Sequence, residues 1–314
     1  MRFAEESRDP RLPPIIRRLT APTRVAVRGR DGVGCATMAA ALTGAGVPVS
    51  SEGADVEVVV IAEALKPEDR ALISRDRPAV VVLNKADLTG FGADGPVALA
   101  YRRAAHIRAL TGVPTAPMIA LLADVDLNGD LVGALQTLRT QPADLTSTDA
   151  FVEAPHPLSR EVREALLGAL DRFGIAHAVL ALDSGATAES LPGHLRRLSQ
   201  LDRVVEHIHA AGAPLRYRRL RAAVGELRAV AAQSGDRRLA EMLVNDEATL
   251  AVMTAAVDVV EAVGMTVDRG DDPAAHLRRA VRWRRYGCGP VDALHRACAA
   301  DISRGSLRLL GRSR

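Results

Sequence analysis

The stretch "TRVAVRGRDGVGCATMAAAL", residues 23–42, decides how the rest of the chain is read. Its opening, "RVAVR" at 24–28, is a short β-branched run; Gly29, Gly32 and Gly34 follow, and strong helix formers then continue to Gly44 and Gly46. A β-branched run favours a strand, clustered glycines a turn, and an alanine-rich run closed by glycine a helix. The stretch predicts strand, glycine turn, helix.

Outward from it the alternation continues. "DVEVVVIAEAL" (55–65) predicts a buried strand, "KPEDRALISRD" (66–76) a helix opened by Pro67, and "PAVVVLNKADL" (78–88) a second fully apolar strand. A helix over 96–111 and the apolar run "PTAPMIALLA" (114–123) extend the order, which is that of an α/β domain with a parallel sheet and helices on both faces. Residues 140–160, rich in Pro, Ser and Thr, read as a surface loop; a helix at 160–173, a strand at 175–182 ("IAHAVLAL") and helices to Gly212 follow. From 214 onward no strand signal remains, and apolar residues recur at helical spacing, among them Leu220, Val224, Leu227, Val257 and Val260. Two further helices are expected at 272–286 and 291–310. The expected organisation is an N-terminal arm (1–22), an α/β domain (23–212) and an all-α bundle or stalk (213–314).

Composition narrows the function classes only a little. Half the chain is hydrophobic and aromatics are sparse (48% and 3%), which suits close-packed helices and a folded core. Lys66 and Lys85 are the only lysines among 41 basic residues, so nearly every cation is arginine. With 38 acidic residues the formal charge is +3, too balanced to indicate nucleic acid. Cys35, Cys288 and Cys298 lack metal-ligand spacing and read as reduced thiols of a cytoplasmic protein. The N-terminal residues carry mixed charge with no long apolar run, so neither a secretory signal nor a spanning helix is expected.

Two motifs carry chemistry. In a phosphate-binding loop, G-x-x-x-x-G-K-[ST], main-chain N–H groups and a helix N-terminus hold phosphates, the lysine neutralises them and the hydroxyl ligates magnesium. Gly29, Arg30, Asp31, Gly32, Val33 and Gly34 fit the frame, but Cys35 stands at the lysine position and Ala36 at the hydroxyl position, with Thr37 one place later. A glycine turn after a strand is also common as a purely structural element. The second motif, Asn84, Lys85, Ala86 and Asp87 at the end of an apolar strand, matches the N-K-x-D element that reads guanine. There the Asp accepts from the ring N1–H and exocyclic amine, while the Asn and the lysine stem brace loop and base. With asparagine only at 84, 128 and 245, a chance match is roughly a one-in-a-thousand event.

In this order the two motifs resemble the GTPase domain of the large translation-factor-related class of P-loop proteins, and are similar in particular to bacterial, mainly actinobacterial, dynamin-like proteins. The resemblance implies a Ras-like parallel sheet, GTP or GDP as ligand, and a base-contacting loop at 114–123, where Ala120 offers only its main chain. "HLRRLSQLDRVVEHIHAAG" and "RYRRLRAAVGELRAVA" are similar to the last domain helices and first stalk helix of that family. The departures matter as much. Only "VPVSSEGA" separates the first helix from the strand at 55, so the Thr-bearing switch, the D-x-x-G segment and the intervening hairpin are missing and the sheet is reduced. No magnesium site is legible, and no catalytic residue is named; Arg28 or Arg30 is the candidate substitute for the lost charge, and Thr37 for the metal-side hydroxyl.

The leading expectation is a degenerate GTPase-like protein that binds guanine nucleotide weakly and serves as regulatory or structural partner of a complete dynamin-like GTPase. Alternatives are an active GTPase with an atypical loop and a nucleotide-independent scaffold. In the helical part, Arg278, Arg279, Arg282, Trp283, Arg284 and Arg285 form a mixture that can lie on an anionic membrane surface, or else a solvated face whose Leu277, Val281 and Trp283 pack inward. His207 and His209 do not share a helical face, and His156, His194, Asp271 and Asp272 read as loop or cap residues.

Overall fold

The computed structural model describes residues 9–73, 76–90 and 92–313. Two compact units are formed, residues 24–208 and the described part of residues 1–23 with 209–314.

In the first unit, β1 (Val25–Gly29), β2 (Val56–Ala62), β3 (Ala79–Asn84) and β4 (Thr115–Pro117) form one parallel sheet in sequence order. Register is set by pairs such as Val27 with Val58, Val60 with Val82, and Leu83 with Pro117. Every residue of β3, and all of β2 except Ala62, is buried. Burial that ignores the strand's two-residue alternation requires cover on both faces, which is why these strands read as continuous apolar runs. The intervening helices are α2 (Cys35–Gly44), α3 (Pro67–Leu72) and α4 (Gly95–Thr111). One core joins Val59 and Ile61 of β2 and Val81 and Leu83 of β3 to Ile107 of α4 and to residues of the later helices.

Those helices are α5 (Gly129–Thr140), α6 (Thr148–Glu153), α7 (Arg160–Asp183) and α8 (Leu191–Ser199), followed by α9 (Leu201–Ser234). Here three expectations are corrected. The strand at 175–182 is helix, the second half of α7, with Ile175, Ala178, Ala181 and Leu182 buried. A short apolar run does not fix its own period, and its alanines favour helix. Residues 140–160 are not all loop, since Ser147 accepts from the Ala150 N–H at 2.9 Å and starts α6. His194 lies inside α8 rather than in a loop or cap. The helix expected over 66–76 is α3, ending at Leu72; positions 74 and 75, like residues 1–8 of the arm, lie outside the described residues.

Fusing 160–173 with 175–182 also makes α7 the one helix among the described residues that is long and apolar enough to cross a membrane by length and composition, which the split reading missed. Leu166, Leu170, Ile175 and Ala178 of that helix pack into the α/β core.

Among the described residues of the second unit every regular element is a helix: α1 (Leu12–Thr20), the remainder of α9, α10 (Arg237–Val244), α11 (Asp246–Ala262), α12 (Pro273–Gly287) and α13 (Ala293–Arg312). The expected arm supplies α1, whose Leu12 and Ile15 share a core with Ala223, Val230, Leu239 and Leu243. Trp283 is buried with Tyr217, Val257 and Ile302, whereas Leu277 and Val281, expected to pack with it, are 50% and 41% exposed. Arg279 is buried instead. It donates to the main-chain oxygens of Asp268 and Gly270, to Ser306 Oγ and to His276 Nδ1. Arg279 and Trp283 are thus removed from the arginine face at 278–285, while Arg278, Arg282, Arg284 and Arg285 stay exposed. Asp272 caps α12 through the Ala275 N–H at 2.8 Å, and Asp271 beside it is exposed.

Candidate functional site

The glycine turn leaves β1 at Gly29 and enters α2 at Cys35. Gly34, the residue before α2, has φ +94, and a Cβ there would meet Asn84 Nδ2 at 2.5 Å. A Cβ on Gly29 would meet Val60 O at 2.6 Å. Both glycines are therefore required by close approach, Gly34 also by its backbone. Beyond them the first turn of α2 presents unpaired main-chain N–H groups at its open end, as any helix does.

Asn84 closes the turn from behind. Buried at the end of β3, it donates through Nδ2 to Val33 O and accepts through Oδ1 from the Ala120 N–H, both at 2.9 Å. The segment carrying Ala120 is pinned to the same place by Met118 N–H on Leu83 O and Ala86 N–H on Met118 O. One side chain thus ties the ends of β1, β3 and β4 together, joining residues that lie in three separate stretches of sequence.

In front of the glycine turn is a pocket of about 240 Å³ lined by Arg30, Asp31, Gly32, Val33, Ala62, Glu63, Lys66, Lys85, Leu88 and Thr89. Arg30, one candidate substitute for the missing charge, is committed elsewhere: its Nε donates to Asp69 Oδ1 at 2.7 Å, and Asp69 is fully buried. The same carboxylate accepts from the Lys66 N–H at 2.9 Å and so holds the start of α3 against the glycine turn. Arg28, the other candidate, lies 3.7 Å from the buried carboxylate of Glu57. Cys35 supplies no charge, because burial, reinforced by the Asp31 carboxylate, raises its thiol above the ordinary value and keeps it neutral. Ala36 and Thr37 are exposed on the first turn of α2.

Asp87 faces a different recess. This one, about 630 Å³, is lined by Asp87, Leu88, Gly90, Pro96, Leu145, Thr146, Asp171, Arg172, Phe173 and Ala176, so Leu88 alone is shared with the first pocket. Burial raises the Asp87 carboxyl from its ordinary value; the Asp171 charge adds to the rise, while Asp87's own N–H and Lys85 oppose it. Asp171 sits at the break in α7 with φ 52 and ψ 174, a region that side-chain-bearing residues rarely occupy. The break is held by Arg172, which reaches the main-chain oxygens of Leu145 and Thr146.

Of the expected site residues, Arg30, Asp31, Gly32, Val33 and Lys85 line one recess and Asp87 the other; Gly29, Gly34, Cys35, Ala36, Thr37, Asn84 and Ala120 line neither, and Asn84 bonds Val33 and Ala120. Sequence reading missed Glu63, Lys66 and Asp69 beside the first recess and Asp171 to Phe173 beside the second. For Lys66 a signal existed, its rarity; for a strained Asp at a helix break there was none. Comparison with protein-family profiles, curated proteins and solved structures finds no match to this chain.

Proposed function

We propose that the α/β unit is a degenerate guanine-nucleotide-binding domain that holds GDP or GTP weakly, does not turn it over, and acts as the regulatory partner of a complete dynamin-like GTPase. One observation carries the reading: Asn84 of the "NKAD" turn is bonded to the glycine turn and to Ala120 at once. An ordinary turn after a strand needs no such bridge to two other strand ends.

The residues divide the work as follows. Main-chain N–H groups of the turn and the start of α2 hold phosphate oxygens. Asp87, once ionised, accepts from two guanine N–H groups, and those donors repay the desolvation that raises its pKa. Nothing at Cys35 or Ala36 neutralises a developing γ-phosphate charge, and Arg30 is held by Asp69, so acceleration of phosphoryl transfer is not supported. Four consecutive parallel strands also fit a reduced Ras-like sheet. A cytoplasmic setting suits this role.

Titration calorimetry with GTP, GDP and ATP, with and without magnesium, tests the reading. Guanine-selective binding lost in Asp87→Ala supports it; no heat at millimolar nucleotide sinks it and leaves a scaffold that works without nucleotide. Asp31 and Glu63, which oppose an anion in the first pocket, are the observation that favours that second reading.

A further inference from the structure

The chain has 41 basic residues, of which only Lys66 and Lys85 are lysines, and both line the one 240 Å³ pocket in front of the glycine turn. They come from different elements, Lys66 before α3 and Lys85 after β3. Each is placed by a link to the turn itself. Asp69 bonds the Lys66 N–H and Arg30 of the turn; Asn84, next to Lys85, bonds Val33 of the turn. Lys85 also adopts the left-handed conformation, φ 57, which is uncommon for a residue with a side chain.

We infer that Lys66 and Lys85 are the two cationic walls of a diphosphate pocket, taking over from two separate elements the charge that Cys35 does not supply. The ligand class is a nucleoside diphosphate with its phosphates over residues 30–33; the inference deepens the function proposed above and rests on it for the nucleoside part. Arg30 also lines the pocket but is held by Asp69, and a compact ammonium on a flexible stem reaches into a pocket of this size as a point charge without the fork geometry a guanidinium needs. Asp31 and Glu63 also line the pocket and oppose the anion, so binding is weak and strongly salt-dependent. Glu63 is exposed, with φ 63, and removing its charge tips the balance toward the anion.

Because the chain has two lysines, limited acetylation read by mass spectrometry reports each wall separately. Millimolar inorganic pyrophosphate is expected to slow acetylation of both Lys66 and Lys85 severalfold against chloride at equal ionic strength. Glu63→Gln is expected to lower the pyrophosphate concentration needed by roughly five- to tenfold, and Lys66→Ala to raise it by a similar factor. Unchanged acetylation of either lysine, or no gain from Glu63→Gln, overturns the assignment. GDP separates this failure from that of the guanine reading. Lysine protection by GDP no better than by pyrophosphate and indifferent to Asp87→Ala keeps the diphosphate walls and removes the guanine. GDP binding that depends on Asp87 while both lysines acetylate freely keeps the guanine and removes the walls.

Discussion

The side-chain amide of Asn84 donates to the main-chain oxygen of Val33 at 2.9 Å, across 51 residues of sequence, and its own oxygen takes the Ala120 N–H. This contact turns the glycine turn and the strand ends into a single structure. Asn84→Ala leaves a buried carbonyl and a buried N–H without partners, and two such losses cost about 2–4 kcal/mol. Urea unfolding of the variant is expected to show a drop of that size. A loss under about 0.5 kcal/mol means that the bridge does not shape the unit.

Gly34 is the neighbouring constraint. Its φ of +94 disfavours any side chain, and a Cβ there would come within 2.5 Å of Asn84 Nδ2. Gly34→Ala is expected to cost about 1–3 kcal/mol and to displace the Asn84 amide. Combined with Asn84→Ala, the two losses are expected to be less than additive, because the clash partner has gone. Urea unfolding of the two single variants and the double variant checks both the cost and the coupling.

Much of this region is legible in sequence, and the reasons are local. The strand ending at Asn84 announces itself by the apolar run that a buried parallel strand requires, the one ending at Gly29, buried only at Val25 and Ala26, by its valines, and the turn by its glycines. What is not legible depends on approach between distant elements. Nothing in "KPEDRAL" says that Asp69 is buried against Arg30, and the run 175–182 carries no period that separates strand from helix. In α12 both sides hold apolar residues, Leu277 and Val281 on one, Ala280 and Trp283 on the other, so only the packing of α13 and α11 selects the buried side.

Asp87 ties stability to pH. Burial raises its folded-state pKa, so protonated Asp87 favours the fold below its unfolded pKa, and that contribution is lost as pH rises through the folded value. At pH 7 the native carboxylate therefore carries a desolvation cost that Asp87→Asn removes. The variant is expected to melt higher than the parent at neutral pH, with the gain fading as pH falls to about 4. A gain that is independent of pH rules out the titration of Asp87 as its source.

Asp171 holds φ 52 and ψ 174 at the break in α7, and its carboxylate adds to the pressure on Asp87. Asp171→Gly relieves backbone strain of about 1–3 kcal/mol, against which stands the lost bond from the Arg172 N–H to Asp171 Oδ1. The net expectation is a variant stabilised by about 1 kcal/mol in which the neutral-pH gain from Asp87→Asn is smaller than in the parent. Melting curves of the two single variants and the double variant at pH 7 check both parts.

The arginines of α12 divide by burial. Arg279 gives its guanidinium N–H groups to Asp268 O, Gly270 O, Ser306 Oγ and His276 Nδ1, whereas Arg282, Arg284 and Arg285 are exposed. Arg279→Met keeps the stem but removes the guanidinium donors from those buried and part-buried acceptors, for an expected loss of about 3 kcal/mol. Arg284→Ser and Arg285→Ser are expected to stay within about 0.5 kcal/mol of the parent. If the same exposed pair is used to touch an anionic surface, sedimentation with vesicles rich in phosphatidylserine falls in the double variant while its unfolding curve is unchanged. Equal sedimentation of parent and double variant removes Arg284 and Arg285 from consideration and leaves Arg278 and Arg282 as the exposed arginines of that face, because Arg279 and Trp283 are held inside the helical unit.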